Sequence, residues 1–223
     1  MAGLEKLGEG LWRWTACHPE WHPRTAFGAE IACYAMRVGP DTLLVDPLVD
    51  EATEDAIDAV VTGGLTIAIT LPYHVRSAER LWRRHRGRRP TEVLGHPACA
   101  RRLGRGVALR TMAAGDELPH GCSAHAIGSP RRQELPLHVP EHDALLFGDA
   151  VVGVDGALRV WSQRPLDERR RRWHRERLVP TLEPLLELEP ERILVTHGRP
   201  VLGDGTEALR AALQAPPWYH RPS

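Results

Sequence analysis

The chain has 223 residues, with 29 basic and 29 acidic side chains, so its formal net charge is zero. A balanced charge provides no overall attraction to nucleic acid or to an anionic membrane surface, so we expect neither partner. No run of residues is long and apolar enough for a membrane span, and residues 1–10 lack the apolar segment of a signal peptide. We therefore predict one cytoplasmic domain over residues 1–223.

The first half of the chain alternates strand and helix patterns. Residues 30–49 predict a hairpin that turns at Gly39, Pro40 and Asp41, and residues 50–64 a helix ended by Gly63 and Gly64. The patterns that follow are, in order, a buried strand over 65–70, a helix over 77–87, a strand over 91–96 and a short helix over 97–103.

The second half has a similar rhythm. Short strands are predicted over 122–128, 134–140 and 142–153, then helices over 165–190 with a break or kink at Pro180, a buried strand over 192–201 and a helix over 205–214. No glycine-rich dinucleotide motif or P-loop is present. Two β-rich halves, each closed by helices, favour an α/β layered sandwich over a Rossmann sheet.

Three polar residues each follow a predicted buried strand. They are His74, Asp149 and His197. Strand ends that converge on one rim of a sandwich bring distant residues to one point, and histidine and aspartate are side chains that divalent metals bind. The three residues together predict a site at this rim.

The order of these strand ends resembles the metallo-β-lactamase superfamily. The matching segments are TLLVDP at 42–47, AITLPYHVRSA at 68–78, ALLFGDAV at 144–151 and ILVTHGRPV at 193–201. The resemblance extends over about residues 8 to 205. It implies an αββα four-layer sandwich of two mixed β-sheets flanked by helices, with a site at one edge between the sheets.

The sequence departs from that family at most of its metal-binding positions. When the family's T-H-x-H-x-D-H signature is aligned on Thr70, His74 is one place out of register, and a further histidine position carries Ser129. Only Asp149 and His197 stand where the family keeps metal ligands. We therefore do not expect a dinuclear zinc site. The four ligand positions of the signature carry Leu71, Tyr73, Val75 and Arg76.

Arg76 occupies the position of a histidine that, in metal-binding members, shares an ion with the aspartate at Asp149. An arginine there could replace the ion as the positive partner of a buried carboxylate, because a guanidinium stays protonated and can donate two parallel hydrogen bonds. We predict that Arg76 neutralises Asp149. The alternative is that Arg76 lies on the solvated face of a basic helix.

A second possibility retains one divalent metal ion, either zinc, iron or manganese. His74, Asp149 and His197 would bind it, with help from Glu134 or from a loop that carries His18 and His22. Alternatively, no metal is bound, and the loop packs against the sandwich edge as an aromatic lid with Trp12, Trp14 and Trp21.

Two functional classes remain open. The chain is either a hydrolase-like enzyme, acting on an ester, lactone, thioester or phosphodiester, or a binding protein that keeps the fold without the chemistry. In the enzyme, His74 or His197 would be the general base, with Asp149 orienting it and Arg76 in the same site. A small-molecule ligand is expected in both cases.

Two further surfaces bear on partners. Arginine-dense segments at 80–89 and 167–178 could contact RNA, but acidic residues elsewhere balance them, and nucleic acid is not favoured. The tail at 218–223 is expected to dock its tryptophan and tyrosine on a protein surface. One possible surface is the contact between copies in a homo-oligomer.

Overall fold

The structure, a computed structural model, describes residues 3–25 and 27–219. In these residues the strands of a first, seven-stranded sheet run side by side in chain order. They are β1 (Glu5–Gly8), β2 (Leu11–Cys17), β3 (Glu30–Val38), β4 (Asp41–Val45), β5 (Leu65–Ile69), β6 (Thr91–Gly95) and β7 (Leu109–Thr111).

The remaining strands are β8 (Ser123–Ala124), β9 (Leu137–Val139), β10 (Ala144–Phe147), β11 (Val151–Val154), β12 (Ala157–Val160) and β13 (Arg192–Val195). Four of them form a second sheet in the order β13-β10-β9-β8, and β11 and β12 form a separate hairpin. Both large sheets are mixed, since β4 to β7 are parallel in the first and β10 and β13 are parallel in the second.

The α-helices within the described part of the chain are α1 (Glu51–Val60), α2 (Ala78–His85), α3 (Glu168–Trp173), α4 (Val179–Leu182) and α5 (Gly205–Gln214). At the predicted break or kink the helical path does not break: a π-turn over His174–Leu178 joins α3 to α4, and Pro180 lies in the first turn of α4. Shorter 3-10 turns cover Pro72–Val75, Pro97–Arg101, Pro119–Gly121, Pro140–His142 and Glu183–Leu188.

Side chains alternate across both sheets because successive residues of a strand point to opposite faces. In β10, Leu146 packs between the two sheets, whereas Leu145 and Phe147 pack against α4 and α5. In β3, Met36 faces the second sheet and Ala35 faces α1 and α2. The layers are therefore helix, sheet, sheet and helix, as predicted.

Most predicted elements are present, with shifted ends. Helix α1 ends at Val60, before the predicted Gly63. Its N-cap is Asp50, whose carboxylate accepts the Thr53 backbone N–H at 2.8 Å. The predicted strand over 142–153 is divided into β10 and β11, and β1, β2, β7 and β12 were not among the predicted strands. Trp12 and Trp14 lie in strand β2, so the prediction that they pack as part of a loop is wrong.

The end of the described chain docks against its own fold. The backbone N–H of Trp218 donates to the Val160 carbonyl, and its carbonyl accepts from the backbone N–H of Ser162, both at 2.8 Å. Residues 220–223 of the predicted tail lie outside the described residues. Between residues 3 and 219, leaving out 26, no helix is both long and apolar enough to cross a membrane.

We expect Leu146→Ala to lower the free energy of unfolding by about 2–5 kcal/mol, because it leaves a cavity between the two sheets. Leu202→Ala is the control, since that side chain is 39% exposed and its loss leaves no cavity. Urea unfolding followed by circular dichroism measures both. An equal loss in the two variants would contradict the packing of Leu146 between the sheets.

Candidate functional site

Two pairs of neighbouring parallel strands deliver the candidate residues to one place. In the first sheet, β4 ends just before Asp46 and β5 just before Thr70. In the second sheet, β10 ends two residues before Asp149, and β13 ends two residues before His197. Neighbouring parallel strands end at the same sheet edge, so each sheet contributes a pair of polar groups to the rim between them.

Asp149 lies at the centre of this rim. One carboxylate oxygen, Oδ1, is 3.3 Å from Nε2 of His74 and 3.4 Å from Nε2 of His197. The other, Oδ2, accepts a hydrogen bond of 3.2 Å from the guanidinium of Arg131. The sequence prediction that His74, Asp149 and His197 converge is therefore confirmed, although their roles stay a proposal.

His74 bridges two carboxylates. Its Nδ1 lies 2.8 Å from Oδ2 of Asp46, while its Nε2 faces Asp149. Thr70 holds Asp46 in place, donating its backbone N–H at 2.8 Å and its hydroxyl at 2.5 Å. Asp46 is itself at φ 48°, a conformation that non-glycine residues rarely adopt. One imidazole thus connects the first sheet to the second, through a hydrogen bond to Asp46 and an ion-pair contact of 3.3 Å with Asp149.

The charges of this network shift the ionisation of its members. Burial and the positive charge of Arg76 lower the pKa of His74, but the carboxylates of Asp46 and Asp149 more than offset both, so its pKa is raised. For Asp149, burial raises the pKa, but His74, His197 and Arg131 outweigh it and hold the pKa well below its usual value. The favoured state is a carboxylate facing an imidazolium.

His197 has a different environment. Burial, which outweighs the carboxylate of Asp149, lowers its pKa, so the ring is neutral at pH 7. Its Nδ1 is buried without a hydrogen-bond partner among the described residues. Phe27 and Trp161 pack on the ring, with centroids 5.2 and 5.6 Å away. The next residue, Gly198, is at φ 85°, where an added Cβ would overlap the Gly153 carbonyl.

Glu134 supports Asp149 from beneath. Its Oε1 accepts the backbone N–H groups of Asp149 and Ala150 at 3.0 and 2.9 Å, and the residue is fully buried. Gly148 allows this approach, because a Cβ there would lie 2.7 Å from the Thr70 hydroxyl and 3.4 Å from the Glu134 carboxyl carbon. Burial raises the pKa of Glu134 to about 7. The carboxyl group therefore fixes the turn that presents Asp149, and does not point to a metal.

Arg76 does not pair with Asp149. Its guanidinium donates to the backbone carbonyl of Asp46 at 2.9 Å, and the ion pair to Asp149 comes from Arg131 instead. The prediction that Arg76 neutralises Asp149 is wrong, because Arg131 reaches the carboxylate from the loop between β8 and β9. Arg131 also stacks on Trp161, 4.7 Å from the ring centroid. Arg76 and Asp149 both line a pocket beside this network.

A pocket of about 200 Å³ opens beside this network. His18 of the N-terminal loop lines it, whereas the ring of His22 is exposed and accepts the backbone N–H of Arg24 instead. His22 therefore does not join the site as the loop hypothesis required. The lining residues are His18, Glu20, Phe27, Tyr73, His74, Arg76, Arg102, Asp149, Trp161, Gln163 and His197.

The donor set does not fit the metal centre that the resemblance implies. Among residues 3–25 and 27–219, no three histidine, cysteine, aspartate or glutamate side chains are grouped to hold a metal ion. Both ring nitrogens of His74 face carboxylates, and Oδ2 of Asp149 faces the guanidinium of Arg131. The geometry therefore does not support the predicted single ion on His74, Asp149 and His197.

The architecture can now be compared with known proteins. No protein-family model matches the sequence, and no curated protein matches it either. Solved structures do match. DIM-1 metallo-β-lactamase superimposes with a TM-score of 0.63 at 12% identity, over 95% of each chain. The chain has the metallo-β-lactamase fold.

Other structures with this fold agree. A metallo-β-lactamase from Erythrobacter litoralis has a TM-score of 0.63 at 15% identity, over 95% of each chain. A β-lactamase domain protein from Burkholderia ambifaria has a TM-score of 0.62 at 18% identity, over 93% of this chain and 72% of that one. At identities this low, the superpositions establish the metallo-β-lactamase fold alone. The activity has to be argued from the site.

Several site residues were not among the predicted ones. Asp46 had a usable signal, since it follows a buried strand in the segment TLLVDP that carries the resemblance. Arg131 and Trp161 had none, because a loop arginine and a strand-end tryptophan have no distinctive spacing. Arg102 belonged to a predicted helix and gave no sign that it would reach the pocket.

We expect Arg131 and Asp149 to be strongly coupled. Arg131→Gln and Asp149→Asn should each lower the free energy of unfolding by about 3–5 kcal/mol, since each leaves a buried charge without its partner. The double variant should lose less than the sum by well over 1 kcal/mol. Urea unfolding of the four proteins measures this coupling.

Arg13 and Glu5 provide a matched control, because that ion pair has the same 3.2 Å distance. Its side chains are 14% and 59% exposed, against 5% and 10% for Arg131 and Asp149. Its coupling should be at most about 1 kcal/mol. Equal coupling in both cycles would contradict the role given to Arg131.

Glu134 should make stability depend on pH. Because burial raises its pKa from 4.5 to about 7, its contribution is fully present below pH 4.5 and is lost as the pH rises through 7. Glu134→Gln keeps an oxygen for the two backbone N–H groups but cannot ionise. The unfolding free energy of this variant, relative to the unsubstituted protein, should therefore increase from about pH 5 to about pH 8.

Chemical denaturation across that pH range tests this expectation. The exposed Glu187→Gln provides the control and should show a flat difference. A difference for Glu134→Gln that is flat, or that falls with pH, would show that this carboxyl group is ionised throughout the range.

Proposed function

We propose that this chain is a divergent metallo-β-lactamase-fold protein with a depleted metal site, whose pocket binds a small molecule without a dinuclear zinc centre. One observation supports it above the others. The buried Asp149 carboxylate is already surrounded by His74, His197 and Arg131 at 3.2 to 3.4 Å. The positive charge that an inorganic ion would supply comes from side chains.

The same contacts favour binding over catalysis. A general base needs a free lone pair, and His74 has both ring nitrogens directed at carboxylates. A nucleophilic thiol has no support either, because burial raises the pKa values of Cys33, Cys99 and Cys122 to between about 11 and 12. The network is a rigid, charge-balanced wall for a ligand.

Hydrolysis is the second candidate, and His197 favours it. Its ring is neutral at pH 7, and its Nδ1 has no hydrogen-bond partner in the described residues. In that reaction, the side chains around His197 move to admit a water to this buried nitrogen, and Nδ1 accepts a proton as the water oxygen attacks the ester carbonyl. The proton then passes to the leaving oxygen as the carbon–oxygen bond breaks, and Asp149 orients the imidazole.

Metal content tests the proposal first. The full chain is purified without chelator and analysed by inductively coupled plasma mass spectrometry, as purified and after incubation with zinc, iron or manganese salts followed by desalting. We expect well under one equivalent of each metal. A stoichiometric ion that is lost in His197→Gln and kept in His125→Gln, a half-buried histidine outside the pocket, would overturn the proposal.

Hydrolysis decides between the two candidates. The metal-free protein is assayed with an aryl ester, a lactone, a thioester and a phosphodiester. For a binding protein we expect rates equal to buffer. Turnover that His197→Gln lowers by about 10²-fold or more, while His125→Gln leaves it unchanged, would replace the binding assignment by the enzyme.

A further inference from the structure

Two guanidinium groups lie on the outer wall of the pocket. Arg76 and Arg102 both line it, and neither has a carboxylate within 4.0 Å among the residues that the structure describes. Some arginines elsewhere in the described chain do pair with carboxylates. Arg84, for example, contacts Glu54, Asp55 and Asp58. The pocket wall therefore presents positive charge that the protein itself does not neutralise.

A hydrogen bond fixes the guanidinium of Arg76 beside the pocket. Its terminal nitrogen donates to the Asp46 carbonyl at 2.9 Å, which fixes the guanidinium, whereas its Nε is buried without a partner in the described chain. A buried guanidinium N–H without an acceptor costs free energy unless a ligand supplies one. The residue also has φ 41°, a backbone conformation that is rare for a residue other than glycine and tends to occur at functional sites.

Arg102 is held differently. Its guanidinium stacks on the ring of Tyr73, 4.3 Å from the centroid. Stacking uses the face of the guanidinium, so the N–H groups at its edge remain able to donate to a ligand. The charge on Arg76 also reaches His18, since burial and then Arg76 lower the pKa of that ring. The acidic residues of the pocket are Glu20 and Asp149, and Asp149 is already neutralised.

Other residues that line the pocket are aromatic. Phe27 and Trp161 contact each other edge to face, with centroids 6.4 Å apart, and both lie against His197. The pocket therefore combines an apolar face with unpaired guanidinium donors. Its volume of about 200 Å³ is below the range of about 300–1,000 Å³ that drug-sized ligands occupy.

We infer that the pocket recognises a small aromatic or apolar molecule through one anionic oxyacid group, a carboxylate or a phosphate, bound by Arg76 and Arg102. The inference rests on the proposed function, since it names the ligand class of the same pocket. Guanidinium donors match the planar oxygens of either group, and a charged acceptor roughly doubles the strength of such a hydrogen bond.

Calorimetric titration of the full chain tests this inference with benzoate, phenyl phosphate and the neutral isostere benzamide. We expect at least one of the two anions to bind about tenfold tighter than benzamide or better, because a hydrogen bond to a charged oxygen is roughly twice as strong as one to a neutral oxygen, and tenfold corresponds to about 1.4 kcal/mol. Preference for benzoate identifies a carboxylate, and preference for phenyl phosphate a phosphate. Affinity should fall as salt increases.

Substitutions assign the contact to the two arginines. Arg76→Gln and Arg102→Gln should each weaken anion binding about tenfold and leave benzamide binding unchanged. Arg101→Gln removes the same charge from the neighbouring exposed position outside the pocket and should change nothing. Arg102 is exposed, so its substitution preserves the fold even if Arg76→Gln does not.

The outcomes separate this inference from the proposed function. Equal binding of benzamide and both anions, no binding of either anion, or an Arg101→Gln effect as large as that of Arg102→Gln would overturn the anion assignment. None of these results changes the metal content, which tests the proposed function independently. Stoichiometric metal together with intact anion discrimination would overturn only the proposed function.

Discussion

The site depends on the electrostatic requirement of one buried carboxylate. Asp149 is 7% exposed and follows a strand of the second sheet, so its charge must be balanced by groups that the fold brings to it. His74 comes from the first sheet, His197 from the neighbouring parallel strand and Arg131 from a loop. An unpaired buried charge would cost several kcal/mol, so these three contacts hold the two halves of the sandwich together at the rim. They also determine which polar atoms the rim presents.

Charge balance by side chains has consequences that balance by an ion would not have. A guanidinium stays protonated at any working pH, and the carboxylates of Asp46 and Asp149 raise the pKa of His74, which favours its charged form. The network borders a pocket that is also lined by aromatic and cationic side chains. The proposed binding function rests on that arrangement.

The fold and the site differ in how far they were predictable. Alternating residues in β3 and β10 encode which face packs against which layer, and that pattern is local, so the sandwich could be predicted without an alignment. The convergence of His74, Asp149 and His197 could also be predicted, since each directly follows a buried strand. The partner of Asp149 could not be predicted. Arg76 had the expected position in the motif, but its guanidinium bonds to the Asp46 carbonyl, and Arg131 makes the ion pair.

The sequence by itself determined the periodic elements, their order and the polar residues at the strand ends, because these depend on neighbours within a few positions along the chain. Tertiary structure decided which cation pairs with which carboxylate, which histidine keeps a free nitrogen, and that Glu134 supports the turn before Ala150. Those outcomes depend on burial and on contacts between residues such as Asp46 and His74, which are 28 positions apart. Local sequence patterns carry no record of either.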